Sequence, residues 1–183
     1  FRKFKEIKEY PNLKYGTGLV MDTSGLDLEN LSHRKAFPQS DFIYNKEVTA
    51  VSISKADESI KEYLGKLVPI ENKFLALHYS LFEGLIIIVP NGKKLEEPFK
   101  IATFLENDVH FNHFLIIIGD NSEIDIIEDA IDYGKKGFKT NVVEMFIGKN
   151  SKVNYIMTQK LNDEVYNLTT RRAVVGKDSK LNW

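Results

Sequence analysis

His110 and His113, three residues apart, are of a type and spacing that could do chemistry. On a helix, H-x-x-H puts both rings on one face and can chelate a metal ion. Here the surrounding VHFNHFLIII reads as an extended strand, in which positions three apart point to opposite sides, so the pair should diverge. Glu128, Asp129 and Asp132 form an acidic cluster able to hold a cation or do acid-base work. They follow an alternating stretch and precede Gly134 and Gly137, which favours a solvated loop. The strings GKNS from Gly148 and YGKKGFKT from Tyr133 look like pieces of a phosphate loop. Neither has the G-x-x-x-x-G-K-[ST] spacing that wraps backbone donors around a phosphate, so both read as turns. Tyr155 and Gln159 are expected to lie inside the fold, where a polar tip needs a bonded partner. No residue is therefore assigned a catalytic, cofactor-binding or metal-binding role.

The elements that would position these residues follow from composition and pattern. With 183 residues and 43% hydrophobic content the chain can bury a sizeable core. Its 25 basic and 26 acidic residues give a net charge of −1, without the field of a dedicated nucleic-acid or membrane-surface binder. The absence of cysteine removes disulfides, thiolate zinc sites and cysteine-ligated clusters from this chain. No run of 18 apolar residues occurs and FRKFKEIKEYP is too charged for a signal peptide, so a soluble, cytoplasmic protein is expected. The chain starts at Phe1 without methionine and stops at Trp183 inside an alternating pattern, so both ends read as cut.

Residues 1–83 read as a small helical and mixed region. Phe1, Phe4 and Ile7 have helical spacing before Pro11, and GTGLVMD and VTAVSIS look like short strands around a polar, Pro38-containing stretch. Ser54 and Asp57 outline a capping box ahead of the stripe Ile60, Tyr63, Leu64 and Leu67. A second helix follows Pro69, with Phe74, Leu77, His78 and Leu81 on one face and Gly84 as a left-handed stop.

From residue 84 the period becomes extended and the sequence repeats. LIIIVPNGKKLEEPF, FLIIIGDNSEIDI, VVEMFIGKNSKVNY and RRAVVGKDSKLNW align, with Gly119, Gly148 and Gly176 in one column and Ser122, Ser151 and Ser179 in another. Pro90 and Lys93 occupy the corresponding places of the first unit, and the intervals are 29, 29 and 28 residues. Further columns hold Leu95, Ile124, Val153 and Leu181; then Asp125, Asn154 and Asn182; then Ile126, Tyr155 and Trp183. A glycine at a strand end supplies a backbone angle that other residues avoid, and a neighbouring Asp or Asn bonds to the turn. One such unit cannot bury its apolar face alone, whereas stacked copies bury a continuous core. The pattern predicts a parallel β-helix over 84–183; the rival is an antiparallel meander of hairpins, which Gly-Asp-Asn turns also serve.

The stretch from Asn72, NKFLALHYSLFEGLIIIVPNGKKLEEPFKI, resembles the hallmark segment of the SufB/SufD family of iron-sulfur cluster assembly proteins. Asn72, Lys73, Phe74, Ala76, Leu77, Gly84, Val89, Pro90, Gly92 and Pro98 fit it, and His78 stands where the family more often has asparagine. Asn141 to Glu144 and Met157 to Gln159 continue the likeness. The resemblance implies a right-handed parallel β-helix behind a helical N-terminal region. It implies a non-enzymatic scaffold working with a SufC-type ATPase, with a SufB/SufD-type paralogue or second copy, and with client apoproteins, the iron-sulfur cluster residing transiently on the full complex. Lack of cysteine leans toward the SufD-like type. A β-helix carbohydrate-active enzyme is the alternative, although no acidic column recurs as such a groove requires. A hexapeptide-repeat acyltransferase would need a six-residue period, which is missing.

Overall fold

Strands covered on both faces read as near-continuous apolar runs, whereas strands with one wet face alternate. Both kinds occur here in strict succession. The computed structural model describes residues 2–8, 14–15, 19–20, 26–32, 39–42, 47–105, 109–132 and 136–183. Helix α1 (Arg2–Glu6), the antiparallel pair β1 (Lys14–Tyr15) and β2 (Leu19–Val20), helix α2 (Leu28–Ser32) and strands β3 (Gln39–Phe42) and β4 (Thr49–Ser52) come first. A 3-10 turn at Ile53–Lys55, helix α3 (Glu58–Lys61) and helix α4 (Lys73–Leu81) follow. Strands β5 (Glu83–Val89), β6 (Phe99–Leu105), β7 (Val109–Ile118), β8 (Glu123–Asp132), β9 (Gly137–Ile147), β10 (Lys152–Lys160), β11 (Val165–Val175) and β12 (Lys180–Asn182) complete the chain.

The eight later strands form a parallel β-solenoid. One sheet runs β12-β10-β8-β6-β3 and the other β11-β9-β7-β5-β4, so each winding gives one strand to each sheet. All pairs among β5 to β12 are parallel; Ile118 lies beside Ile147, and Ile124 beside Val153. This rules out the hairpin meander and confirms the repeat columns. Strands β3 and β4 pair antiparallel with β6 and β5, so the N-terminal region covers both sheet edges of the first winding. Unpaired edges invite association with other chains, and these two are occupied.

Inward residues Leu85, Ile87, Val89, Phe99, Phe114, Ile116, Ile118, Ile124, Ile126, Val143, Met145, Ile147 and Val153 fill the core between the sheets. The outer face of the β5-β7-β9 sheet is buried too. There Phe74, Ala76 and Leu77 of α4, with Phe4 and Leu28, pack on Val109, Phe111 and Phe138. Among the described residues the outer face of β8 and β10 has no such cover: Ile124 and Ile126 are buried while Asp125 is exposed. On that wet face Asn154 donates to Asp125 at 2.6 Å and Asn182 to Asn154 at 2.5 Å.

The turns depart from the sequence expectation in an instructive way. Gly119, Gly148 and Gly176 are not left-handed. That conformation belongs to Asn121 (φ 56°), Asn150 (φ 53°) and Asp178 (φ 57°), with Gly92 (φ 73°) in the same place of the first turn. The glycines serve close stacking: a Cβ on Gly148 would lie 2.7 Å from Asp120 N, and one on Gly176 2.6 Å from Gly148 C. Serine knits the turns together. Ser151 Oγ donates to Gly119 O (2.8 Å) and accepts from Ser122 N (3.0 Å), and Ser122 and Ser179 repeat the outgoing bond to Pro90 O and Gly148 O. Ser151→Ala leaves a buried N–H without its acceptor and should cost about 1–3 kcal/mol in urea unfolding.

Three further expectations change. The capping box does not form: Asp57 is the N-cap of α3 and makes no side-chain cap bond, and Ser54 Oγ meets Ser52 Oγ instead. Helix α3 ends after one turn, so Tyr63, Leu64 and Leu67 lie beyond it. Gly84 does not stop α4, whose C-cap is Phe82; it lies inside β5. The other helix does have a side-chain cap, Asn72 Oδ1 accepting from Leu75 N at 3.0 Å. Pro11, Pro38 and Gly134 lie outside the described residues. Among the described residues no helix is long and apolar enough to cross a membrane.

Candidate functional site

The interior of the solenoid is divided. Near the glycine turns it is wholly apolar, but toward the start of β7 and β9 the inward positions become His110, Asn112, Lys139 and Asn141, all buried. Because the strands are in register, His110 sits beside Lys139 and Asn112 beside Asn141. Thr103 of β6, Glu128 of β8, Tyr155 of β10 and Arg171 of β11 complete this polar half. Glu128 is fully buried; Asn141 Nδ2 donates to one oxygen at 2.6 Å and Tyr155 O–H to the other at 2.6 Å. Arg171 Nη2 stands 3.9 Å from the same carboxylate. Lys139 Nζ donates to Thr103 Oγ1 at 3.1 Å.

Burial governs these groups. It lowers the Lys139 ammonium to about 8, with Glu128 opposing and Arg171 reinforcing the shift. It lowers His110 to about 3, with the Lys139 charge adding to the effect. It raises the Tyr155 phenol, helped by Glu128, so Tyr155 stays a donor.

A second buried network lies outside the β7-β9 sheet, under the N-terminal region. Glu144 accepts from Gly65 N (2.6 Å), Leu67 N (2.7 Å), Val68 N (3.2 Å) and His113 Nε2 (3.0 Å). His78 Nε2 lies 3.2 Å from His113 Nδ1, and His78 Nδ1 lies 2.8 Å from Thr140 Oγ1. With both rings neutral, one proton arrangement satisfies every contact: Thr140 donates to His78, His78 to His113 and His113 to Glu144. Burial lowers His78, and the neighbouring His113 lowers it further. Burial alone would raise the Glu144 carboxyl, but the His113 bond and the N–H groups of Gly65 and Leu67 hold it below the usual carboxylate range. Burial raises the Tyr79 phenol, as does Glu144, and Tyr79 donates to Val68 O at 2.7 Å. Nearby, Arg172 bonds Glu71 through two nitrogens (2.9 and 2.8 Å) and Leu67 O (2.9 Å). Together these groups fasten the 65–71 segment to the solenoid wall.

The structure thus separates the residues that the sequence singled out. His110 points into the solenoid and His113 out of it, as an extended strand requires. The acidic cluster is no solvated loop: all three residues belong to β8, with Glu128 inside, Asp129 bonded by Thr158 and Asp132 by Asn162. Tyr155 is inside, whereas Gln159 is exposed and accepts from Asn167. GKNS is a turn; of YGKKGFKT, Lys139 and Thr140 are buried strand residues. Glu144, Lys139 and Arg172 were missed. The available signal was a charge inside an apolar strand, VVEMFI, which demands a buried partner set. Among the described residues no three histidine, aspartate or glutamate side chains are grouped to hold a metal ion. Glu128 has both oxygens bonded and no solvent, so it is placed to order the interior rather than to attack a glycosidic bond.

Residues 101–183 match the family described as SUF system FeS cluster assembly, SufBD core domain. The chain is 32% identical over 143 residues to an iron-sulfur cluster assembly SufBD family protein of Staphylococcus haemolyticus, covering 74% of this chain and 30% of that protein. Proteins of the same description from Staphylococcus aureus (32%) and Staphylococcus saprophyticus (31%) are similar over the same shares. The chain thus spans about a third of the length of these relatives.

Proposed function

Since the chain belongs to the SufB/SufD family, we propose that it is the N-terminal region and first windings of a non-enzymatic scaffold for iron-sulfur cluster assembly. In this reading the parent protein works in a complex with a SufC-type ATPase and with a SufB/SufD-type paralogue or second copy. Iron and sulfide are its substrates, and the finished cluster leaves for client apoproteins. The cytoplasm is the matching compartment. Lack of cysteine in these windings favours the SufD-like type.

The supporting observation is the stacked, in-register solenoid in the very residues that match the family. This part of the chain would serve as a rigid wall, with the first winding's edges closed by β3 and β4 and the 65–71 segment fastened by Glu144 and Arg172. The test is affinity purification of the full-length protein, followed by anaerobic incubation with iron and sulfide. An ATPase in stoichiometric amount and a cluster transferable to an apoprotein are expected. A protein that purifies without an ATPase and leaves the apoprotein empty would refute the reading.

A further inference from the structure

The polar half of the solenoid interior contains one more cation than its bonds account for. Both oxygens of Glu128 are taken by Asn141 and Tyr155, and Arg171 is the cation nearest to them. Lys139 is 1% exposed, its ammonium donates to Thr103, and among the described residues no carboxylate oxygen lies within 4.0 Å of it. In register beside it, His110 is 2% exposed and neither of its ring nitrogens has a partner. Arg171 Nε is likewise buried without one. The site therefore has spare donors, two N–H groups of Lys139, one of His110 and one of Arg171, against a single spare acceptor outside the histidine ring among the described residues of this polar half, Asn141 Oδ1.

A buried ammonium without a counter-charge is expensive, and it is relieved either by losing its proton or by holding an anion. Losing the proton would remove the charge but leave the His110 ring nitrogens and Arg171 Nε without partners. Holding an anion uses the spare donors and neutralises the charge. The inward residues flanking or paired with Thr103, namely Ile101, Leu105 and Ala130, are buried, so an occupant is stripped of water. Full dehydration excludes multiply charged ions such as phosphate or sulfate and selects a weakly hydrated monoanion. We propose that the solenoid interior between Lys139 and His110 is a binding site for a small inorganic monoanion of the halide class.

The test uses the full-length protein crystallised from sodium bromide, with anomalous diffraction at the bromine edge. A bromide peak in hydrogen-bond reach of Lys139 Nζ and a His110 nitrogen is expected. An interior with only non-anomalous water density, or bromide confined to surface lysines, overturns the proposal. In solution, the melting temperature should rise from fluoride to chloride to bromide at constant ionic strength. Lys139→Met should weaken bromide affinity about tenfold or more, and His110→Gln, which keeps a donor, should weaken it less. Equal salt responses in wild type and His110→Phe also overturn it, whether or not the lysine variant folds.

Discussion

Glu144→Ala should destabilise the folded chain by about 3–5 kcal/mol, as several buried donors each lose their acceptor at about 1–3 kcal/mol apiece. The carboxylate is the common acceptor for three N–H groups of the 65–68 segment and for His113, and its side chain is 0% exposed. Alanine leaves those donors buried with nothing to bond, and their desolvation costs add. Glu144→Gln keeps the shape and one acceptor oxygen but presents an amide donor to the crowded N–H groups, so a smaller loss, about 1–3 kcal/mol, is expected. Urea unfolding measures both. Limited proteolysis should show new cleavage within 62–72 first, because that segment loses its anchor while the strand ladders persist. A Glu144→Ala protein that melts like wild type and resists protease would show that Arg172 and the packing of α4 hold the region alone.

The same network sets an acid limit on stability. His78 is held well below 6.5 in the folded state. As pH falls below 6.5, the unfolded chain takes up a proton that the folded chain refuses, so stability declines by up to about 1.4 kcal/mol per pH unit for this group. Glu144, depressed below 4.5, contributes stability that is complete above 4.5 and is lost as pH falls through its folded value. Glu144→Gln should therefore flatten the stability profile below 4.5 and leave the histidine-driven decline in place.

The solenoid was legible in the sequence because its causes are local and repeat. Gly119, Ser122 and Ile124 recur a winding later as Gly148, Ser151 and Val153, since each residue stacks on its own counterpart. The reason assigned to the glycines was not legible. Left-handed angle and close approach both call for glycine, and only the neighbouring windings show that Asn150 takes the angle while Gly148 yields space. The site residues were hidden for a different reason. Whether Glu144 is buried depends on what covers the outer sheet face, and that cover comes from the distant 65–71 segment and α4, whereas Glu128 and Lys139 are enclosed by strands of the facing sheet and of neighbouring windings. Alternation in EIDIIEDAID reports that one face is wet, but it does not report that an inward carboxylate is capped by Tyr155 from the next winding.

Gly84 offers the sharpest contrast between the two uses of glycine. It lies in β5 beside His113, and a Cβ there would overlap the His113 carbonyl oxygen, with the carbonyl carbon at 2.7 Å. The obstacle is backbone of the paired strand near the start of the β5-β7 ladder, at a buried position, so no side-chain rotation relieves it. Gly84→Ala must push β5 off β7, disturbing the first winding and the His113 contacts to His78 and Glu144 together; a loss of about 3 kcal/mol or more is expected. Gly92 is the opposite case, left-handed at φ 73° with nothing within 4 Å of a built Cβ. Gly92→Ala should cost only the conformational penalty, about 1–2 kcal/mol. Urea midpoints of the two variants decide the matter, because close approach predicts a clear gap between them. Equal losses would mean that β5 can shift without cost and that Gly84 does not set the spacing of the first two windings.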